Sequence, residues 1–399
     1  CMWINAVTSL QPYQALATLL VLRAVPVVAY WFATPRTTVL QKLGTLVVAA
    51  GLAVLARDWT HVPWLAYGGA YLYLIVAGSL VPFTARCLKN GYLTRGGTFV
   101  LCLCAFLLLP GVAWPHAMKL VAFVFAWDLV FSSYSYCVEL SRSEEPPSYA
   151  DCLFFLFVNP TLVYSQRGTR IGSASLERSG LLRILLAVFM FLACSLLLTP
   201  IFQLIRDRMT GNQLSGIALT DALLCGAVAF VIHYMQASAL ASLQIGLLRQ
   251  TGHQIPERYD WPVRAKTLPD FWRRWNRYLG QWALHYVFFP ASLRLGRRFR
   301  SPRVRTLITV ASLLGAFALV GILHDAHASF LSLTPKYDQM MMFLANGALV
   351  VLWLGLERLG QRAHDDGRLP PWAPRVATAV SWTCLWCFVS VCALFRLGG

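Results

Sequence analysis

Five polar side chains fall inside stretches that are otherwise apolar, and their types define what chemistry is open to this chain. His324, Asp325 and His327 lie in GILHDAHASF (321–330), His233 in FVIHYMQAS (230–238) and Asp128 in FAWDLVFSSYSY (125–136). An imidazole with an ordinary pKa near 6.5 takes and returns protons at neutral pH, so each histidine is a candidate base or proton relay. Polar groups at membrane depth are costly, which makes every one of them a functional candidate. The plainer reading for Asp128 and His233 is a hydrogen bond inside a helix bundle; Ser132, Ser133 and Tyr136 are helical neighbours able to satisfy Asp128 locally. Asp325 directly follows His324, so on a helix it points about 100° away and orients that ring poorly. His324 and His327 share a helix face, but no nearby carboxylate or cysteine completes a coordination set, and a metal is not expected. No serine or cysteine nucleophile with a neighbouring base stands out.

The elements that must hold these groups are apolar. Of 399 residues 57% are hydrophobic and 13% charged, about half the charged share of a soluble domain. Ten apolar runs, near 15–34, 38–56, 62–82, 97–114, 118–138, 181–204, 217–242, 306–324, 340–356 and 374–395, approach the roughly 20 residues of a membrane-crossing helix. The expectation is an all-α polytopic membrane protein of about ten transmembrane helices, forming one membrane-embedded domain over 1–399. A shorter run, ADCLFFLFVNPTLVY (150–164), contains Pro160 and is expected to be re-entrant. If the spans alternate and 249–305 faces the cytoplasm, 27 of the 34 Lys and Arg residues lie on that side. The net charge of +17 is then a topology signal rather than a nucleic-acid surface. Most of the eleven cysteines lie within spans and read as small apolar residues, including the Cys384–Cys387 pair. No cleaved signal peptide is expected, because the first span carries Arg23 and lacks a basic stretch before it. The excess of arginine over lysine points to a bacterial cytoplasmic membrane.

The most unusual polar stretch is DFWRRWNRYLGQW (270–282). Continued as one helix over 270–289, it places Phe271, Trp275, Tyr278, Trp282 and Tyr286 on one arc and Arg273, Arg274, Arg277 and Gln281 opposite. That predicts an interfacial helix, with rings at the headgroup level and guanidinium groups toward water or phosphate. Asn276 falls on the border between the faces. Upstream, Asp260-Trp261-Pro262 and Thr267-Leu268-Pro269-Asp270 lead into Phe271-Trp272-Arg273-Arg274-Trp275-Asn276. These motifs, with FLFVNPTLVYSQRG (155–168) before them and GILHDAH (321–327) after them, resemble the membrane-bound O-acyltransferase family over roughly residues 150–330.

The resemblance implies an O-acyltransferase that moves an acyl group from a thioester, acyl-CoA or an acyl carrier protein, to a hydroxyl of a small, lipidic or glycan acceptor. It implies His324 as the base for direct transfer and Asn276 as a donor to the developing oxyanion or the donor's carbonyl. The donor side follows from the basic loop: Trp272, Arg273, Arg274, Trp275 and Arg277 are the expected donor-binding residues, with the guanidinium groups suited to coenzyme A phosphates or an acidic carrier protein. No tightly bound cofactor is expected. Asp128, His233 and His327 are then possible linings of a central tunnel that joins Asn276 to His324. Asn276 stands where the polysaccharide-modifying branches have histidine, which points instead toward the sterol, diacylglycerol and wax-ester branches. Two further readings belong to other classes: a transporter or flippase with a path along Asp128, His233 and His324, and a non-catalytic subunit of an envelope-modifying complex. Inverted repeats would favour transport, and none is visible.

Overall fold

The computed structural model describes residues 26–33, 80, 116–140, 142, 148–210, 218–332, 337–366, 370 and 373–395. Helices dominate, because a chain in hydrocarbon must satisfy its backbone internally and a helix does so within one segment. In chain order they are α1 (His116–Leu140), α2 (Tyr149–Leu153), α3 (Ala174–Ala193), α4 (Thr199–Thr210), α5 (Ala218–Gln250), α6 (Leu268–Arg274), α7 (Arg277–Ala283), α8 (Phe289–Gly296), α9 (Pro302–Ser332), α10 (Asp338–Asp365) and α11 (Ala373–Phe395). The all-α expectation misses one small element. Thr169–Arg170 (β1) and His253–Gln254 (β2) form a two-residue antiparallel ladder.

Among the described residues four helical segments are long and apolar enough to cross a membrane: Ala174–Ile205, Leu223–Gln250, Pro302–Asp325 and Asp338–Asp365. They answer to the expected spans at 181–204, 217–242, 306–324 and 340–356. Leu182, Leu185 and Phe189 on α3, Leu307 on α9 and Leu352 and Leu356 on α10 point outward, each more than half exposed. In water such a band would be a liability; against lipid tails it needs no cover. The run at 118–138 is helical as α1, and that at 374–395 as α11, whose apolar part Val376–Trp386 is shorter than a span. The runs at 38–56 and 97–114, and most of 15–34 and 62–82, lie outside the described residues. The re-entrant candidate is a short helix, α2, prolonged by a π-helical turn over Phe154–Val158 and ending in non-helical backbone at Asn159.

The chain divides into two compact units, Cys1–Pro200 with Ile232–Glu257, and Ile201–Val231 with Arg258–Gly399. In the first, Trp31, Ile184, Phe191, Leu243, Leu247, Leu248 and Ile255 form a buried cluster. Helices α3 and α5 approach closely at Gly180 and Gly246, where a Cβ on either would lie 2.7 Å from the other's carbonyl oxygen. Small residues permit such backbone contact where lipid offers no hydrophobic drive. Glu257 bridges Arg183 and Arg249 and ties the end of α5 to α3.

In the second unit α9 and α10 form an antiparallel pair. Gly321 faces the Met340 backbone and Gly347 faces the Phe317 ring, so the two axes come near at both places. The buried Asp325 carboxylate accepts the Gln339 and Met340 backbone N–H groups at 3.0 and 2.7 Å. Those are donors of the first turn of α10, which its own helix leaves unsatisfied. Asp325 thus caps a neighbouring helix.

Candidate active site

The site grows from the start of α6. Thr267 Oγ1 accepts the Asp270 N–H at 3.3 Å, and Asp270 reaches back to the Lys266 N–H at 3.3 Å, a reciprocal cap. The same carboxylate takes Arg273 Nη2 at 2.6 Å and Arg274 Nε at 2.9 Å. Burial acts to raise the Asp270 pKa, but the hydrogen bonds from Arg273, Arg274 and the Lys266 backbone outweigh it and hold the carboxyl below its usual range. Arg274 Nη1 also donates to the Asp260 carbonyl at 3.2 Å.

The expected single helix over 270–289 is corrected here. α6 stops at Arg274, Trp275 is extended, and Asn276 takes a left-handed conformation (φ 37°, ψ 60°) before α7 begins at Arg277. The loop before α6 enforces the break by pairing across it. The Asp260 N–H donates to the Arg274 carbonyl at 3.0 Å, and the Arg277 N–H donates to the Arg258 carbonyl at 2.7 Å. Backbone groups that would have continued the helix are thereby engaged elsewhere. Asparagine, aspartate and histidine are the non-glycine residues that tolerate this left-handed region best. Trp275, freed from the helix, stacks on Phe271 at 5.5 Å and meets Phe230 and Tyr259.

His324 sits three quarters of the way along α9. Its Nδ1 lies 2.7 Å from the Val320 carbonyl oxygen. A carbonyl only accepts, so Nδ1 carries the proton, and in the neutral ring the basic lone pair is on Nε2. Phe343 of α10 packs against the ring at 4.8 Å.

One cavity of about 340 Å³ collects these groups. Asn276 and His324 both line it, with Trp272, Arg273, Trp275, Arg277 and Gln281 from the broken helix. Its remaining wall is largely apolar, from Leu284, from Leu313, Ala316, Phe317 and Val320 of α9, and from Phe343 and Val350 of α10. Arg274 is not among the lining residues; its guanidinium is committed to Asp270 and Asp260. Asp128 lines a different, water-sized cavity of about 20 Å³ with Ser132, Asn159 and Gln244. His233 is half-buried on α5 and lines neither cavity. The side chain of His327 lies outside the described residues. Two contributors escaped sequence reasoning. Gln281 lines the cavity but reads in the sequence only as part of the polar face, and Arg258, whose Nε–H donates to Asn276 Oδ1 at 3.1 Å, has no signal there at all.

Several curated proteins are similar to parts of this chain. The probable alginate O-acetylase AlgI of Pseudomonas aeruginosa is 26% identical over 159 residues, 39% of this chain and 25% of that protein. Its namesake in Azotobacter vinelandii is 24% identical over 220 residues, 51% of this chain and 40% of that protein. The peptidoglycan O-acetyltransferase of Helicobacter pylori is 29% identical over 98 residues, 25% of this chain and 17% of that protein. The chain thus spans between 17% and 40% of the length of these relatives. Their names belong to polysaccharide-modifying proteins and lend no support to the sterol and wax-ester affinity expected from Asn276. A left-handed position admits asparagine and histidine alike, so the residue at 276 does not by itself separate the branches. The sequence pattern described as MBOAT, membrane-bound O-acyltransferase family, matches residues 56–346. That match covers more than half of the chain and takes in α6, the Asn276 break and His324, and the chain belongs to the membrane-bound O-acyltransferase family.

Proposed function

We propose that this chain is an O-acyltransferase that moves an acyl group from a thioester donor to a hydroxyl by direct transfer. The observation that carries the reading is that Asn276 and His324, 48 residues apart, line the same cavity. In this reading the acceptor hydroxyl attacks the thioester carbonyl carbon while its proton passes to His324 Nε2. The tetrahedral oxyanion is stabilised by the Asn276 carboxamide N–H. Collapse breaks the carbon–sulfur bond, and the imidazolium returns its proton to the leaving thiolate. A general base contributes about 10²–10⁴-fold and one oxyanion donor about 10²–10³-fold.

Arg273 and Arg277 are the cationic groups that line the cavity beside these residues and suit the phosphates of acyl-CoA or of a carrier protein's prosthetic arm. The apolar wall suits the hydrocarbon end of the acyl group. The names of the relatives favour a glycan hydroxyl as acceptor. The cavity is then one part of a tunnel through the membrane bundle, with residues 249–305 on the cytoplasmic side.

Detergent-purified protein, given a panel of acyl-CoAs from acetyl upward together with a glycan acceptor, tests this by free-thiol release. His324→Ala is expected to lose at least about a hundredfold, and Asn276→Ala about tenfold or more. Thiol release by both variants at the wild-type rate overturns the site.

A further inference from the structure

Arg258 lies 18 residues before Asn276 and is not among the cavity-lining residues, yet its side chain holds the carboxamide the proposed reaction uses. Its Nε–H donates to Asn276 Oδ1 at 3.1 Å. A guanidinium has five donors and no acceptor, so a carboxamide beside it must present its oxygen. The amino group then occupies the other branch of the planar amide. Turning the amide by 180° would set two donors against each other on one side and leave a carbonyl oxygen on the other.

Arg258 is itself held at several points. Its guanidinium carbon lies 5.7 Å from the Tyr278 ring centroid and 6.0 Å from that of Tyr259. Its backbone carbonyl accepts the Arg277 N–H, the residue after Asn276. The same residue therefore fixes the chain at the left-handed turn and the rotation of the side chain that the turn displays. A cation on the carbonyl end also polarises the amide and makes its N–H groups better donors.

We propose that Arg258 is a positioning residue for acyl transfer: through Nε–H it sets the Asn276 carboxamide with its amino end available to the substrate's carbonyl oxygen. This rests on the transfer reading above, in which Asn276 serves the oxyanion.

Two near-isosteric replacements separate positioning from structure. Glutamine places an amide N–H at the position of the arginine Nε, whereas methionine keeps the stem and has no donor. In the thiol-release assay with full-length protein, Arg258→Met is expected to lower kcat about tenfold with KM little changed. Arg258→Gln is expected to stay within about threefold of wild type. Because Arg258 acts through Asn276, adding Arg258→Met to Asn276→Gly should lower kcat no further than Asn276→Gly alone. Full activity of Arg258→Met, equal loss in the Gln and Met variants, or multiplied losses in the double variant each overturn the proposal. His324→Ala is the reference arm. If that variant is inactive and the Arg258 cycle fails, Arg258 alone is misassigned; if it releases thiol like wild type, the transfer reading fails and Arg258 with it.

Discussion

Asn276 answers two demands at once, and they can be pulled apart by substitution. The backbone needs a residue that tolerates φ 37°, and the cavity receives a carboxamide held by Arg258. Alanine fails both, since a left-handed conformation costs an ordinary residue about 1–2 kcal/mol. Glycine satisfies the backbone and removes only the amide. Asn276→Ala is therefore expected to melt measurably lower than wild type in detergent, and Asn276→Gly close to it, while both lose a similar factor in thiol release. A glycine variant that turns over like wild type would assign Asn276 to the turn alone. Nothing in the sequence distinguishes these demands, because the rings at 271, 275, 278 and 282 keep a helical period straight through the break. No proline or glycine stands at residues 275–277; the interruption comes from the loop at 258–260 pairing across it. It is a tertiary effect on a locally helical pattern.

At the scale of elements, neighbouring residues of α9 divide their work by direction. His324 turns toward the cavity, whereas Asp325 turns to the first turn of α10. The sequence shows this divergence, since consecutive helical residues point about 100° apart. It does not show where Asp325 goes, because its partners are backbone groups 14 and 15 residues later. Asp325→Ala leaves the Gln339 and Met340 N–H groups without that acceptor inside the protein. The expected loss is about 1–3 kcal/mol of stability, with Asp325→Asn intermediate because it retains one acceptor oxygen. Protein that does fold should keep the His324-dependent thiol release proposed above. The measurement is a detergent melting curve beside an activity corrected for folded fraction. An Asp325→Ala protein that melts like wild type but no longer releases thiol would move Asp325 from capping to chemistry.

For the whole molecule, the long apolar segments were legible because lipid imposes one simple requirement, about 20 apolar residues in a helix. Four of them are found where that requirement put them. The pieces between spans were not, since they rest on pairings between distant polar residues. His253 is the sharpest case. It pairs with Arg170 across the small ladder, stacks on Phe154 at 4.8 Å and is buried. Thr251 donates its hydroxyl hydrogen to the Leu248 carbonyl, so its oxygen must accept the His253 Nδ1–H at 2.9 Å. Burial first, and the Arg170 charge second, lower the His253 pKa to about 4. The native protein thus refuses a proton that the unfolded chain takes near pH 6.5. Stability from this group is complete above that value, declines as pH falls toward about 4, and changes no further below. Asp270, whose pKa is lowered, has the other window: its contribution is present above the usual carboxylate range and is lost only as pH falls through its depressed pKa. Melting temperatures of full-length protein from pH 7.5 down to 4 should therefore fall more steeply for wild type than for His253→Gln, which has no titrating ring. Parallel curves would mean that His253 takes up its proton in the folded state as readily as in the unfolded one.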